Sequence, residues 1–307
     1  MTSVSVVTLA KGRPDHLVNV VLGLTRQTMM PTEFLVAVMQ DDLYDLPDAP
    51  FPVRQIRIEA DSLPLAMARN VAAGAARGET LVFLDMDCIP APGLVADYAG
   101  FAATFDGLLM GEVMYLPGGA TAGDWSYDAF AAVAEKHSDR RGPPAQGLEL
   151  CADYRCFWSL NFAMRRDTFL RVGGFDERYV GYGGEDTDFG KMLDGAGVPI
   201  AWIKGGLAYH QYHPHHMPPV HHLDSVVRNA QLFEQKWGYR TMGHWLHAFR
   251  LMGLIDDAPG RPIRILRAPD DDDRALTGQQ SHQPYANTAT VLRHLEATAR
   301  APDTVAA

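Results

Sequence analysis

The sequence predicts an α/β fold in which a mostly parallel central sheet is flanked by helices. Short apolar runs alternate with helix-forming segments from the N-terminus onward, which is typical of strand–helix–strand units. The run Thr80–Leu84 is apolar on both faces, as expected for a central strand of a parallel sheet. The chain has 307 residues, of which 47% are hydrophobic, and this is enough to build one large α/β core.

The first part of the chain supplies most of the predicted sheet. Ser3–Leu9 is rich in β-branched residues and is predicted to be a buried strand, after which Pro14 opens a helix. The remaining elements are two strands, at Phe34–Met39 and Val53–Ile58, a helix that ends near Ala76, and the strand Thr80–Leu84.

After Thr80–Leu84 the pattern becomes more irregular. The segment His137–Gly147 is polar and rich in Arg, Pro and Gly, so we expect a mobile loop there. Residues after Pro259 include the acidic run Asp270–Asp273 and are expected to form a tail that is partly disordered or wraps the surface. The other expected elements are helices at Pro92–Phe105, Asp124–Lys136, Arg166–Val172, Glu185–Gly195, Asp224–Trp237 and Thr288–Ala299, and extended segments at Leu108–Leu116, Phe157–Met164 and Pro199–Lys204.

The formal net charge of −10 limits the partners that the protein can bind. It disfavours nucleic acid, because binding the phosphate backbone needs a basic surface. A surplus of carboxylates also makes a diphosphate hard to hold without a divalent cation. The charge alone therefore favours a metal-assisted site over direct phosphate binding.

The sequence predicts a cytoplasmic protein. It contains no run of about 18 apolar residues, and the N-terminus lacks the basic start and cleavage site of a signal peptide. The three cysteines, Cys88, Cys151 and Cys156, are too few for a disulfide framework and are expected to be reduced thiols, with a Cys151–Cys156 pair as the alternative. The oligomeric state is left open.

Asp85-Met86-Asp87 follows directly on the predicted central strand. Ligands of open α/β sheets bind beyond the carboxyl ends of such strands. Residues i and i+2 of an extended chain point to the same side, so both carboxylates are expected to face one ligand. A solvated turn is the alternative for this short motif.

Three glycines in the segment Gly181–Gly184 precede a run of acidic residues. Glycine permits positive φ and close approach of a ligand to the backbone. Glu185 and Asp186 follow at the start of a predicted helix, where the dipole is expected to lower the pKa of a carboxyl group and keep it ionised. An ionised carboxylate there suits a general base, and a helix cap is the alternative.

Histidine is concentrated between Tyr209 and His222. Most of these side chains are expected to be packed or on the surface, but His210 first, and His213 second, are candidates to complete a metal site with Asp87. An imidazole beside a carboxylate suits Mn²⁺ better than Mg²⁺, which prefers oxygen ligands only.

Several isolated residues are weaker candidates. Lys11 and Arg13 follow the first strand and are placed to meet a diphosphate or a base, with a solvated loop equally open. Asp41 or Asp42 follows the second strand and is a candidate acceptor for a base ring nitrogen. The others are Arg69, with a surface arginine as the alternative, and Trp158 and Asn161, which are candidates to line a sugar pocket.

Taken together, residues 3–240 resemble the family 2 inverting glycosyltransferases of the GT-A fold, and the second half resembles the C-terminal portion of the β-1,4-galactosyltransferases. Five markers occur in the expected order: Val4–Thr8, Ala68–Asn70 ahead of Ala76–Glu79, Phe83–Asp87, Gly173–Glu177 and Gly183–Asp186. The resemblance implies a Rossmann-like nucleotide-sugar-binding half at 1–107, an acceptor and catalytic half at 108–258, and a tail at 259–307.

The resemblance also implies roles for individual residues. Asp186 is the catalytic base with Glu185 beside it, and Asp87 is a ligand of Mn²⁺ (or Mg²⁺), with His210 or His213. The implied nucleotide-binding set is Thr8, Ala10, Arg13, Asp41, Asp42, Arg69, Asp85 and Met86, and the implied acceptor or sugar set is Trp158, Asn161, Tyr182, Gly183 and Gly184. Two positions depart from the galactosyltransferases, which have tryptophan at Tyr182 and an acid at Thr187.

The function expected from these residues is metal-dependent, inverting transfer of a hexose-type sugar from a nucleotide-diphosphate sugar, UDP first, to a saccharide or other hydroxyl-bearing acceptor. A nucleotidyltransferase and a retaining glycosyltransferase are alternatives on a similar fold. A non-catalytic metal- or nucleotide-binding protein is the alternative from a different class.

Overall fold

A mixed eight-stranded sheet forms the centre of the computed structural model, which describes residues 3–60 and 62–300. Its first four strands are β1 (Val4–Ala10), β2 (Glu33–Val38), β3 (Val53–Arg57) and β4 (Thr80–Leu84). They lie in the order β3-β2-β1-β4 and pair in parallel throughout. Their positions confirm the predicted parallel half of the sheet.

Helices cover both faces of these four strands. Helices α1 (Pro14–Thr25) and α3 (Leu94–Ala102) pack on one face, and α2 (Leu65–Ala75) packs on the other. Alternate residues of β1 enter the two cores, with Val6 on the side of α1 and Val7 on the side of α2. Burial on both faces explains why the strands lack a polar alternation.

The second half of the chain extends the same sheet with mixed pairing. Strand β10 (Asn161–Arg165) lies antiparallel to β4, so the two halves meet at this pair. Beyond it lie β6 (Leu108–Met110), β11 (Ile200–Ile203) and β9 (Leu148–Leu150). The division of the chain at residues 107 and 108 stays a prediction.

A four-stranded sheet stands beside the central one, in the order β5-β12-β7-β8. Its strands are β5 (Cys88–Pro90), β7 (Val113–Tyr115), β8 (Glu135–Lys136) and β12 (Ala208–His210). The expected single strand Leu108–Leu116 is therefore wrong, because β6 and β7 belong to different sheets. The extended run is interrupted at Gly111, where an added Cβ atom would lie 2.1 Å from the carbonyl oxygen of Gly206.

The remaining helices follow the sequence closely, with shorter ends. Helix α4 (Tyr127–Val133) begins at Tyr127 rather than Asp124, because the Ser126 side chain accepts a hydrogen bond from the backbone N–H of Ala129 and caps it there. It ends before Lys136, because Glu135 and Lys136 belong to β8. The other helices are α5 (Arg166–Arg171), α6 (Glu185–Gly195), α7 (Leu223–Trp237), α8 (Gly243–Leu251), α9 (Asp271–Thr277) and α10 (Thr288–Arg300). Two 3₁₀ turns lie at Tyr154–Cys156 and Val220–His222. Strands β13 (Ile255–Asp256) and β14 (Arg264–Ile265) pair as an antiparallel hairpin.

The described part of the C-terminal tail, 259–300, is folded against the rest of the protein. The acidic run forms the start of α9, where Asp270 and Asp273 make a reciprocal capping box. Helix α10 confirms the helix expected at Thr288–Ala299 and packs on α8. The tail wraps the surface here, and residues 301–307 lie outside the described residues.

Two of the three cysteines form a disulfide, so the expectation of reduced thiols is wrong for them. The turn Tyr154–Cys156 brings Cys156 back to Cys151, while Cys88 is free and buried. The cysteines therefore no longer support a cytoplasmic location, which stays a prediction. Among the described residues, no helix combines the length and the apolar character needed to cross a membrane.

Candidate active site

Asp85 and Asp87 lie at the carboxyl end of β4, as predicted, but they have different partners. Asp85 faces the guanidinium of Arg69, with Oδ1 3.5 Å from Nη2. Asp87 is buried, and its Oδ2 accepts a hydrogen bond of 2.9 Å from Arg13 Nη1. The two aspartates of this motif therefore belong to two neighbouring groups of side chains, one around Arg69 and the other around Arg13.

Asp87, His210 and His213 form a group whose ligand atoms all lie within 4.8 Å of one another. His210 Nε2 is 3.6 Å from Asp87 Oδ1, and His213 Nε2 is 3.4 Å from Asp87 Oδ2. Both histidines favoured by the sequence are therefore at Asp87.

The backbone explains how this group is assembled. Strand β12 pairs with β5 so that His210 lies opposite Cys88, the residue after Asp87. Gln211, which the sequence did not single out, then donates its backbone N–H to the carbonyl oxygen of Asp87 at 2.7 Å. Its buried side chain bonds Asn19 and the carbonyl oxygen of His16, so the histidine segment is fastened to α1.

The charges at this group favour metal binding. Burial lowers the pKa of His210 to about 4, although Asp87 opposes the shift, so the imidazole is neutral and available as a ligand. Burial also opposes ionisation of Asp87, but His210, His213 and Arg13 together hold the pKa of this carboxyl well below its usual range. The buried Nδ1 of His210 has no hydrogen-bond partner among the described residues. One carboxylate and two imidazoles fit a divalent transition metal.

The other histidines of the segment have structural neighbours. His216 Nδ1 lies 3.1 Å from Thr277 Oγ1, and His222 stacks on the ring of Tyr182. Residues 277–287, here called the C-terminal strap, run across this segment. Backbone bonds join Met217 to Thr277 and Gln279 to His215. The tail therefore braces the loop that carries His213.

Glu185 and Asp186 begin α6, as the sequence predicted, next to the aspartates of β4. Glu185 is buried and its Oε1 accepts a hydrogen bond of 3.2 Å from Arg69 Nη1. Arg69 is 4% exposed, so the alternative of an ordinary surface arginine is wrong. One buried guanidinium joins Asp85 of the first half to Glu185 of the second.

The expected effect of the helix dipole on Asp186 is wrong in direction. Burial and the neighbouring Glu185 raise the pKa of Asp186 to about 7, although its hydrogen bond from the backbone N–H of Thr187 opposes the shift. Burial and the charges of Asp87 and Glu185 likewise raise the pKa of Asp85 to about 6, against Arg69. Desolvation and repulsion between carboxylates outweigh the dipole here.

Asp188, the last acid of the run, serves the fold rather than the site opening. Its buried carboxylate accepts hydrogen bonds from Trp237 Nε1 at 2.7 Å, Tyr179 Oη at 3.1 Å and Lys236 Nζ at 2.7 Å. It thereby fixes the end of α7 against α6.

The glycines before Glu185 adopt positive φ, as predicted, at 84° for Gly181, 90° for Gly183 and 91° for Gly184. The atoms that lie close to these glycines belong to the protein's own side chains, whereas the sequence predicted close approach of a ligand. A Cβ at Gly181 would lie 2.3 Å from Ser225 Cβ, and one at Gly183 would lie 2.7 Å from Met242 Sδ. Side chains from α7 and the start of α8 therefore need these glycines.

The expected nucleotide-binding residues separate into two groups. Thr8, Arg69 and Asp85 line one small pocket at the end of β1 and β4. The Met86 side chain is in the core, where its sulfur accepts a hydrogen bond of 3.4 Å from the backbone N–H of Lys11. Ala10 is buried and its carbonyl oxygen accepts the N–H of Met39, while Asp41 and Asp42 are exposed beyond β2.

The expected sugar-binding residues also differ in their surroundings. Asn161 is fully buried, and its amide bonds Tyr98 Oη and the carbonyl oxygens of Glu112 and Gly206. It therefore fixes the two sheets together and is not placed to bind a sugar. Trp158 is half-buried beside His137, with 5.1 Å between ring centroids.

Tyr182 is stacked against two aromatic residues that the sequence did not single out. The centroid of its ring lies 4.9 Å from His222 and 5.8 Å from Trp245. Burial and the charges of Glu185 and Asp186 raise the pKa of Tyr182. Trp245 comes from α8, so only tertiary contact reveals it.

Comparisons with known proteins agree with this architecture. The family model described as the N-terminal domain of galactosyltransferase matches residues 145–216. Validoxylamine A glucosyltransferase of Streptomyces hygroscopicus subsp. limoneus is 26% identical over 261 residues, covering 72% of this chain and 54% of that protein. Chondroitin synthase of Escherichia coli is 25% identical over 221 residues, covering 61% of this chain and 30% of that protein.

A solved structure has the same fold. The crystal structure of GalNAc-T7 with UDP, GalNAc and Mn²⁺ matches with a TM-score of 0.50 and 17% identity, over 69% of this chain and 43% of that one. The likeness shows that this protein has the GT-A fold. The region matched by the galactosyltransferase model, residues 145–216, contains Glu185, Asp186 and both histidines of the candidate metal site. The chain spans about half the length of the first of these curated relatives.

Proposed function

We propose that this protein is a glycosyltransferase of the GT-A fold that moves a hexose-type sugar from a nucleotide-diphosphate sugar, UDP-linked in the first instance, to an acceptor hydroxyl with inversion at the anomeric carbon. The donor side is formed by residues 1–107 and the acceptor side by residues 108–258. The observation that carries the proposal is the bridge from Asp85 through Arg69 to Glu185, which places the paired aspartates next to the acids of α6.

The donor side has the groups that a nucleotide sugar needs. Asp85 follows the carboxyl end of β4, and nucleotides bind beyond the carboxyl ends of strands in open α/β folds. There its carboxylate is placed to accept hydrogen bonds from ribose hydroxyls. Asp87, His210 and His213 would hold a divalent cation, Mn²⁺ before Mg²⁺ because two of the three ligands are imidazoles. When bound, such a cation neutralises charge on a leaving diphosphate. Arg13 donates a hydrogen bond to Asp87, so its guanidinium would lie close to the diphosphate that the cation binds.

The acceptor side supplies the base. A general base works best with a pKa near the working pH, and the pKa of Asp186 is raised to about 7. Asp186 takes the proton of the acceptor hydroxyl as that oxygen attacks the anomeric carbon, and the nucleoside diphosphate leaves from the opposite face. Glu185, held by Arg69, keeps a negative charge beside Asp186 and sustains the high pKa of its carboxyl group.

Two enzymatic rivals make different predictions. A nucleotidyltransferase has no use for a base at the start of α6, so it leaves Asp186 without a role. A retaining glycosyltransferase gives a product with the donor's anomeric configuration, which NMR of the product distinguishes from inversion. A non-catalytic metal protein binds the cation equally well with and without nucleotide.

Isothermal titration with UDP, GDP and TDP, each with and without Mn²⁺, tests the donor site. We expect one nucleotide to bind only with Mn²⁺, and this binding to be lost in Asp87→Ala. Asp186→Asn is the matched variant, since it should bind the nucleotide as wild type does while turnover falls by about 10²–10⁴. Failure of every nucleotide to bind would refute the transferase proposal.

A further inference from the structure

Arg140 is a buried cation without a hydrogen-bond partner. Its side chain is 5% exposed, and Nε, Nη1 and Nη2 meet no acceptor in the part of the chain that the structure describes. The guanidinium lies 5.0 Å from the ring centroid of Trp158 and 4.9 Å from that of Trp202. These cation–π contacts stabilise it in part, but a buried charge is normally paired and hydrogen-bonded.

A chain of ring contacts connects Arg140 to the metal-binding group. Trp158 contacts His137 at 5.1 Å, His137 contacts Tyr115 at 5.5 Å, and Tyr115 stacks on His210 at 4.9 Å. Tyr285 of the C-terminal strap completes this aromatic wall, 4.3 Å from His137. Arg140 is therefore connected to His210 of the candidate metal site through three intervening aromatic rings.

Arg140 differs from the other arginines at this site. Arg13 is paired with Asp87, and Arg69 is paired with Asp85 and Glu185. Of these three arginines, only Arg140 has no hydrogen-bond acceptor, among the described residues, for any of its three guanidinium nitrogens. The protein that carries this unpaired cation has a net charge of −10. Its natural partner is an anionic group brought by a ligand.

We propose that Arg140 binds an anionic group of the sugar substrate, either a phosphate of the donor or a carboxylate carried on the sugar. This inference rests on the proposed function and adds a determinant of specificity to the same site. The planar guanidinium matches both groups with two parallel hydrogen bonds. Trp158 and Tyr285, both half-buried, supply rigid apolar surface beside it.

A ligand reaches Arg140 only if one wall moves, because the guanidinium nitrogens are sealed from solvent. Residues 137–147, all of them described, contain neither helix nor strand. The arginine side chain itself turns about several single bonds. The segment that the sequence marked as a loop thus carries the residue that binds the anion.

An internal pair with Glu112 is the rival explanation. Glu112 Oε1 is also buried without a hydrogen-bond partner among the described residues, and Arg140 is among the charges that act on this carboxyl. Such a pair would not respond to added anions. It would also make Glu112→Gln as destabilising as Arg140→Gln.

Titration calorimetry with UDP-glucose and UDP-glucuronate in the presence of Mn²⁺ tests the proposal. The variants are Arg140→Gln and, as a matched control, the neighbouring exposed Arg141→Gln. If Arg140 binds a phosphate, Arg140→Gln weakens both ligands at least tenfold; if it binds a carboxylate, only UDP-glucuronate weakens. Unchanged affinity of Arg140→Gln for both ligands overturns the proposal.

Thermal unfolding with inorganic pyrophosphate or glucuronate, without metal or nucleotide, separates this proposal from the proposed function. A higher Tm in wild type and Arg141→Gln, but not in Arg140→Gln, supports the Arg140 site even if no nucleotide binds. No rise with either anion in wild type, with equal losses of Tm in Arg140→Gln and Glu112→Gln, assigns Arg140 to the internal pair. If Arg140→Gln does not fold, Arg140→Lys replaces it, since it keeps the charge but loses the two parallel bonds.

Discussion

Arg69 and Glu185 are 116 residues apart in sequence, yet Arg69 Nη1 donates to Glu185 Oε1 at 3.2 Å inside the protein. The bond joins α2, in the first half of the chain, to the first turn of α6, in the second half. The other terminal nitrogen of Arg69 faces Asp85 at 3.5 Å. Both halves of the candidate active site therefore depend on one buried cation.

Arg69→Met should destabilise the protein strongly. It would leave two carboxylates close together without their cation, and breaking a buried charge pair costs about 3–5 kcal/mol. Urea unfolding measures the loss in free energy of unfolding. Arg57→Met, at the exposed last residue of β3, is the control and should change stability by less than about 0.5 kcal/mol. A loss at Arg69 no larger than at Arg57 would contradict the bridging role.

The turnover rate should fall as the pH drops below about 7. The pKa of Asp186 is raised to about 7, so the carboxyl is protonated below that pH and cannot accept a proton. A profile of kcat against pH 5–9 should show this acidic limb. Glu185→Gln should move the limb to lower pH, because it removes the negative charge that raises the pKa of Asp186. A limb that stays in place in Glu185→Gln would argue that another group titrates.

Removal of either metal-site histidine should weaken Mn²⁺ binding. Loss of a partner that merely orients a ligand costs about 10–100-fold in metal affinity, so His210→Ala and His213→Ala should cost at least as much. Calorimetric titration with Mn²⁺ in the presence of nucleotide measures this. His282→Ala, exposed in the C-terminal strap, is the control. Equal affinity in all three variants would remove both histidines from the site.

Loss of the C-terminal strap should also weaken metal binding. The strap bonds the segment around His213 through Thr277 and Gln279. A chain that ends at Leu276 should bind Mn²⁺ less tightly, because the histidine segment loses this brace. A chain that ends at Asn287 keeps the strap and lacks α10, so it should bind as the full chain does. If both truncations weaken binding equally, α10 rather than the strap is responsible; if neither weakens it, the strap does not support the metal site.

Much of the fold was predictable because its signals are local. A strand buried on both faces needs a continuous apolar run, which is why Thr80–Leu84 was placed with its true bounds. Helix α6 was predicted from Glu185 to Gly195 because glycines precede it and acids begin it. The prediction failed at Leu108–Leu116, where an apolar run does not reveal that the chain changes sheets at Gly111.

The sequence by itself determined the candidate side chains of the site: Asp85 and Asp87 after a central strand, Glu185 and Asp186 after glycines, and histidines near position 210. Only the tertiary structure decided how they meet. It placed His210 and His213 at Asp87 and put Arg69 between Asp85 and Glu185. It also buried Asn161 and Arg140, and it reversed the expected shift in the pKa of Asp186. The physical reason is that desolvation and the charges of neighbours depend on residues distant in sequence.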